Sequence, residues 1–190
     1  MTLAFDSLQR KTIQEVLEWY NYQAEILGRE KTRVLAELRS GVIPSDSRFF
    51  TMNRDDIEDF FNLHRNELDF LAMLDLMSAA EASLRLDYLS RVGKRLKDPV
   101  SRCFRAINKK LSQSMGPGAI RLEDDILDTW ASQEPGTRSW VSDFKAALKL
   151  RHWLAHGRYW NPKLGRQQYS PGDVFDISDN LLRAVDACKS

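Results

Sequence analysis

The hydrophobic positions of this chain recur mostly at intervals of three and four, the spacing of helices that bury one face. Leu8, Ile13, Val16, Leu17, Tyr20, Ala24, Ile26, Leu27, Val34, Leu35 and Leu38 keep that rhythm, and charged residues fill the opposite side. Asp6 or Ser7 is placed to cap this first long helix, which runs to about Leu38. Gly41, Pro44 and Ser45 break the pattern, so residues 40–53 read as a loop. Asn53 then caps a second helix, with Asp55 and Asp56 in its first turn, where the dipole favours acids. That helix is expected to break near His64 to Asn66 and to continue through residues 68–86 to about Lys97. Its centre is apolar on nearly all sides, which places it in the middle of a bundle.

Asp98-Pro99 pairs a cap with a proline at the first helical position, and the helix it starts runs to about Ser114. Gly116-Pro117-Gly118 ends it. Residues 122–131 form a short acidic helix, closed by Glu134-Pro135-Gly136. Thr137 or Ser139 caps the next helix, which carries residues 140–150 into Arg151-His152-Trp153-Leu154-Ala155-His156-Gly157. A loop rich in glycine, proline, basic and aromatic residues spans 158–173. Residues 174–177 read as a short extended piece, and Ser178 or Asp179 caps a final helix to about Cys188. The fold class is therefore all-α: an antiparallel helical bundle with a long N-terminal helix and a C-terminal loop plus short helix. One domain covers residues 1–190, with the long helix in 1–40, the bundle in 54–160 and the loop and last helix in 161–190.

Composition narrows the partners. The chain is 43% hydrophobic and 29% charged, ordinary for a soluble globular protein. A net charge of +1 gives no global basic field, so any nucleic-acid contact must be local. Residues 1–11 lack the apolar core and cleavage site of a secretory leader, and no stretch approaches the roughly 20 apolar residues of a membrane span. Cys103 and Cys188 form no metal-ligand pair and suit a reducing cytoplasm, which is the expected location.

The chemistry concentrates at residues 150–160, which hold two of the three histidines. Arg151 keeps its charge and can grip a phosphate bidentately. His156, on the last turn, can act as general acid or base. Five positions apart, the two point about 140° from each other on an ideal helix. They converge if the helix ends or widens at His156, as Gly157 allows, or if two copies of the motif meet. A fixed cation beside a titratable imidazole suits metal-free RNA cleavage by 2′-hydroxyl attack. The opposing reading is a pair that caps helix-end carbonyls.

Other chemistries fit less well. His152 and His156 share a face as zinc ligands do, but Trp153 stands where a helical zinc protease carries Glu, and no third ligand is evident. The acids Asp55, Asp56, Glu58 and Asp59 lack calcium-loop spacing and read as a solvated helix start. No phosphate-binding glycine loop or nucleophile elbow occurs. No cofactor and no metal is expected. His64 stands alone and reads as structural. Glu81, in an apolar small-residue stretch, either turns inward and needs a partner or pairs on the surface with Arg85 one turn on. After the motif, Arg158, Lys163 and Arg166 alternate with Tyr159, Trp160 and Tyr169, so cations could hold phosphates while rings stack on bases. Tyr159 and Trp160 could equally fold back onto the bundle.

The run Arg151-His152-Trp153-Leu154-Ala155-His156 resembles the signature of the HEPN superfamily: Arg, a polar residue, a few mostly apolar residues, then His. The resemblance covers residues 54–160 loosely. It implies a helical bundle that dimerises so that two motifs form one cleft, and a metal-independent ribonuclease of toxin–antitoxin, anti-phage or RNA-processing type. It implies that Arg151 positions phosphate, that His156 serves the proton transfers and that His152, in the polar slot, orients the pair. Glu81 would match the acidic residue that an earlier helix of the family often turns toward the site. Expected partners are RNA, a second copy of the chain, and an antitoxin or defence-system protein; no membrane is expected. The alternative is a non-catalytic module of the same type that binds RNA, a nucleotide or a protein. The toxin branch often carries Tyr two residues after the histidine, where this chain has Arg158.

Overall fold

Helices make up the architecture, and their starts follow from short capping sequences. The computed structural model describes residues 10–42, 46–114, 120–162, 164 and 168–188. The described residues form six α-helices: α1 (Ile13–Arg39), α2 (Arg54–Lys94), α3 (Pro99–Ser114), α4 (Asp128–Gln133), α5 (Arg138–Ala155) and α6 (Pro171–Ala187). A π-helical turn (Leu122–Leu127) precedes α4, and short 3-10 turns occupy Ser47–Phe49 and Pro135–Thr137. No strand occurs among the described residues.

α1 begins at Ile13, because Thr12 and Glu15 close a reciprocal capping box. The expected caps Asp6 and Ser7 lie outside the described residues. α2 starts as expected, with Asn53 and Asp56 closing a second box. It then runs unbroken for 41 residues, so the break expected at His64 to Asn66 is absent. The polar residues there are held from the side. Arg65 Nε donates to Asp69 Oδ1 at 2.9 Å and its Nη2 to the Tyr20 hydroxyl on α1 at 2.6 Å, while His64 Nδ1 lies 2.7 Å from the Phe60 carbonyl. The acidic residues 122–131 divide into the π-turn and the start of α4. The glycine-proline segment expected to follow α3 lies outside the described residues. Thr137 precedes α5 but caps no N–H; its hydroxyl donates to Glu134 O at 2.8 Å.

The extended piece expected at 174–177 is helical. Ser170 and Asp173 close a capping box with Pro171 at the first position, so the cap of α6 lies eight or nine residues before the expected one at Ser178 or Asp179. Val174 and Leu181 on this helix are fully buried, and that packing overrides the strand preference of Val174, Phe175 and Ile177.

α2 is the central element and packs against α1, α3, α5 and α6. Met73, Leu76, Met77, Ala80, Leu84 and Tyr88 carry its face into the main core, where they meet Phe104, Trp130, Phe144, Ala147, Leu181 and Val185. A second cluster, Val34, Phe49, Ile57 and Phe61, forms between the far ends of α1 and α2. Arg91 is 2% exposed and lies 4.6 Å over the Trp130 ring. Its Nε pairs with Asp87 at 2.8 Å and its Nη1 with Asp98 at 3.1 Å, as a buried cation requires. No described helix is long and apolar enough to cross a membrane.

Candidate functional site

α5 delivers Arg151, His152 and His156 to one end of the bundle. Its buried face, Val141, Phe144, Ala147, Leu148 and Leu150, fixes how the helix is rotated. Around the axis, Arg151 falls about 60° to one side of Leu148, His152 about 40° to the other, and His156 about 40° further still. The helix ends at Ala155, and His156 is the terminal residue at φ −103°, ψ 22°. Reversal comes one residue later, at Gly157, whose φ of +85° is the left-handed conformation that glycine adopts cheaply. Arg158 N–H then reaches back to Trp153 O at 3.2 Å, closing a Schellman-type end.

The turn therefore comes too late to swing His156 toward Arg151. His156 N–H still donates to His152 O at 3.2 Å, and its ring lies 4.3 Å from the His152 ring. Arg151 instead faces α2. Its Nη2 is 3.2 Å from Glu81 Oε2, and its Nε is buried without a partner among the described residues. The other Glu81 oxygen accepts from Arg85 Nε at 2.8 Å, and Arg85 Nη1 donates to Ile120 O at 3.1 Å. Glu81 thus contacts both Arg151 and Arg85, and it does so from a largely covered position rather than as the surface pair with Arg85. It is 16% exposed, whereas Arg151 keeps 38% of its side chain in solvent.

Two clefts meet here. One, of about 480 Å³, is lined by Glu81, Arg85, Arg121, Glu123, Asp124, Leu148, Arg151 and His152. The other, of about 420 Å³, is lined by Glu123, Lys145, Leu148, Lys149, His152, Trp160, Asn161 and Pro162. His152, Leu148 and Glu123 belong to both, and His156 lines neither. The acidic π-turn forms the opposite rim. Its wide backbone follows from Ile126 N–H bonding five residues back, to Arg121 O at 3.3 Å.

The post-motif residues divide. Arg158 forms a bidentate pair with Glu67 on α2, at 2.7 and 2.9 Å, and its guanidinium lies 5.1 Å over the Phe70 ring. This pair holds the Glu67 carboxyl below its usual range. Arg158 therefore fastens the loop, where the sequence cast it as an RNA contact. Tyr159 is 84% exposed. Trp160 is half-buried on the wall of the second cleft, 5.8 Å from His152, and its carbonyl accepts from Trp153 Nε1 at 2.6 Å. Lys163 and Arg166 lie outside the described residues. Sequence reasoning passed over Lys145 and Lys149, although with His152 and His156 they form a basic stripe at helical spacing. Arg85 and Arg121 were also passed over as cleft cations, because three-dimensional packing brings them to the motif. Among the described residues no group of His, Cys, Asp and Glu could hold a metal ion.

No protein-family model, curated protein or solved structure matches the chain.

Proposed function

We propose that this protein is a HEPN-like, metal-independent endoribonuclease of toxin or anti-phage defence type. It acts in the cytoplasm as a homodimer, with an antitoxin or defence protein as partner. The observation that carries the reading is Arg151. Its guanidinium is oriented by Glu81 through one nitrogen, stands in an open cleft, and has two imidazoles in tilted contact on the same helix end. A scissile phosphate at Arg151 would have its charge held while an imidazole takes the 2′-hydroxyl proton. The 2′-oxygen then bonds to phosphorus, the bond from phosphorus to the 5′-oxygen breaks, and a proton passes to the leaving oxygen. The products are a 2′,3′-cyclic phosphate and a 5′-hydroxyl.

The decisive experiment incubates the purified full chain with single-stranded RNA in excess EDTA and analyses the fragment ends. Cleavage with cyclic phosphate ends, lost in Arg151→Ala and in the double variant His152→Ala/His156→Ala, is the expected result. A requirement for a divalent ion, or full activity in Arg151→Ala, overturns it. The second reading, a non-catalytic RNA-binding module, is favoured by the carboxylate already set against Arg151. Salt-dependent RNA retention without cleavage would select it.

A further inference from the structure

We infer that His152, rather than His156, is the imidazole that meets a phosphate held by Arg151, which makes it the proton-transfer residue of the reaction proposed above and rests on that reading. The rotation of α5 fixes the order Arg151, Leu148, His152, His156 around the helix, so His152 stands between the guanidinium and the second imidazole. His152 and Arg151 line the same cleft, and His156 does not. His152 also lines the neighbouring cleft, beside Lys149 and Trp160. An RNA strand crossing the ridge between them would place its phosphate against Arg151 and the imidazole, and an adjoining base against the Trp160 ring.

His156 then acts through its neighbour. Its ring packs at 4.3 Å on the far side of His152, with Trp160 at 5.8 Å from the same ring, so His152 has aromatic groups beside it that restrict its swing. That makes His156 a positioning residue, needed for its shape and not for its proton. Phenylalanine separates the two properties, because it keeps a flat ring and cannot titrate.

The test uses the full-length protein in two arms. In the first, RNA cleavage in EDTA is compared for wild type, His152→Phe, His156→Phe and His156→Ala. Loss of general acid–base catalysis predicts a fall of about 100-fold or more in His152→Phe, about tenfold in His156→Ala, and a rate within about threefold of wild type in His156→Phe. Activity retained in His152→Phe, or lost in His156→Phe, overturns the inference. So does recovery of activity on mixing Arg151→Ala with His156→Ala, which would place a partner's His156 at the cleft. In the second arm, imidazole NMR signals are followed while uridine 3′-monophosphate is added. The His152 signal should move, the signal of His64, which lines neither cleft, should stay, and the movement should vanish in Arg151→Ala. Movement of His156 in place of His152, or of neither, overturns the inference. This arm decides which imidazole meets the phosphate even where wild type cleaves no RNA and the nuclease reading fails.

Discussion

Glu81 on α2 and Arg151 on α5 face each other at 3.2 Å, and the second oxygen of the same carboxylate holds Arg85. A carboxylate only 16% exposed between two guanidinium groups is costly to remove, because both cations lose their counter-charge. Glu81→Ala should lower stability by about 2 kcal/mol, the scale of hydrogen bonds to charged groups, in a urea titration at neutral pH. Arg85→Ala leaves Glu81 its contact with Arg151 and should cost about half as much. Equal midpoints for wild type and Glu81→Ala would show that the pair contributes nothing.

The end of α5 relies on backbone conformation. Gly157 has φ +85° with open space where a Cβ would project, so Gly157→Ala costs conformation alone. About 1 kcal/mol is expected, the usual penalty for a left-handed alanine, with Gly157→Asn costing less. Thermal unfolding of the two variants side by side checks the ranking.

Trp153 Nε1 donates to Trp160 O at 2.6 Å while the indole packs edge-on against Phe70. Trp153→Phe keeps an aromatic ring and loses the donor. It should cost about 1 kcal/mol and speed amide exchange in residues 157–162, leaving exchange in the α2 core unchanged. Unaltered exchange in that loop would mean the bond does not hold it.

Acid should loosen two helix starts. The Ser170 hydroxyl and N–H beside Asp173 hold its carboxyl below the ordinary aspartate range. Burial raises the Asp98 pKa, but hydrogen bonds from Ser101 and the charge of Arg91 outweigh it, so this carboxyl also lies low. Both pKa values are lower in the folded chain than in the unfolded one. Their stabilisation is therefore fully present above about pH 4 and is lost as pH falls through the folded values. Denaturant midpoints at pH 5 and pH 3 should fall less for Asp173→Asn than for wild type.

Substitution at the middle of α2 tests its continuity. Asn66→Pro removes a helical N–H and clashes with the preceding turn, and about 3 kcal/mol or more should be lost. A near-neutral effect would indicate the break that the sequence suggests.

The amphipathic spacing made the helices legible, and the boxes Asn53-Asp56 and Ser170-Asp173 are written in the chain as cap and third residue. The second box was masked by Val174, Phe175 and Ile177, whose strand preference yields to burial against α2 and α5. The break expected at His64 to Asn66 failed for a related reason. Tyr20 on α1 anchors Arg65 from another helix, and no local pattern shows that. Arg151 and its carboxylate partner could be nominated from residue type. The position of His156 could not, because it depends on whether the helix reverses at that residue or at the next.

α2 is about 60 Å long at 1.5 Å per residue, and it threads both hydrophobic clusters. Glu67, which fastens the loop after α5, and Glu81 and Arg85, which wall the cleft, are spaced along this one rod. They have no joint between them, so the rod works as a strut. A push on the aromatic tip formed with α1 would therefore reach the loop anchor and the cleft wall together, as displacement of a single lever.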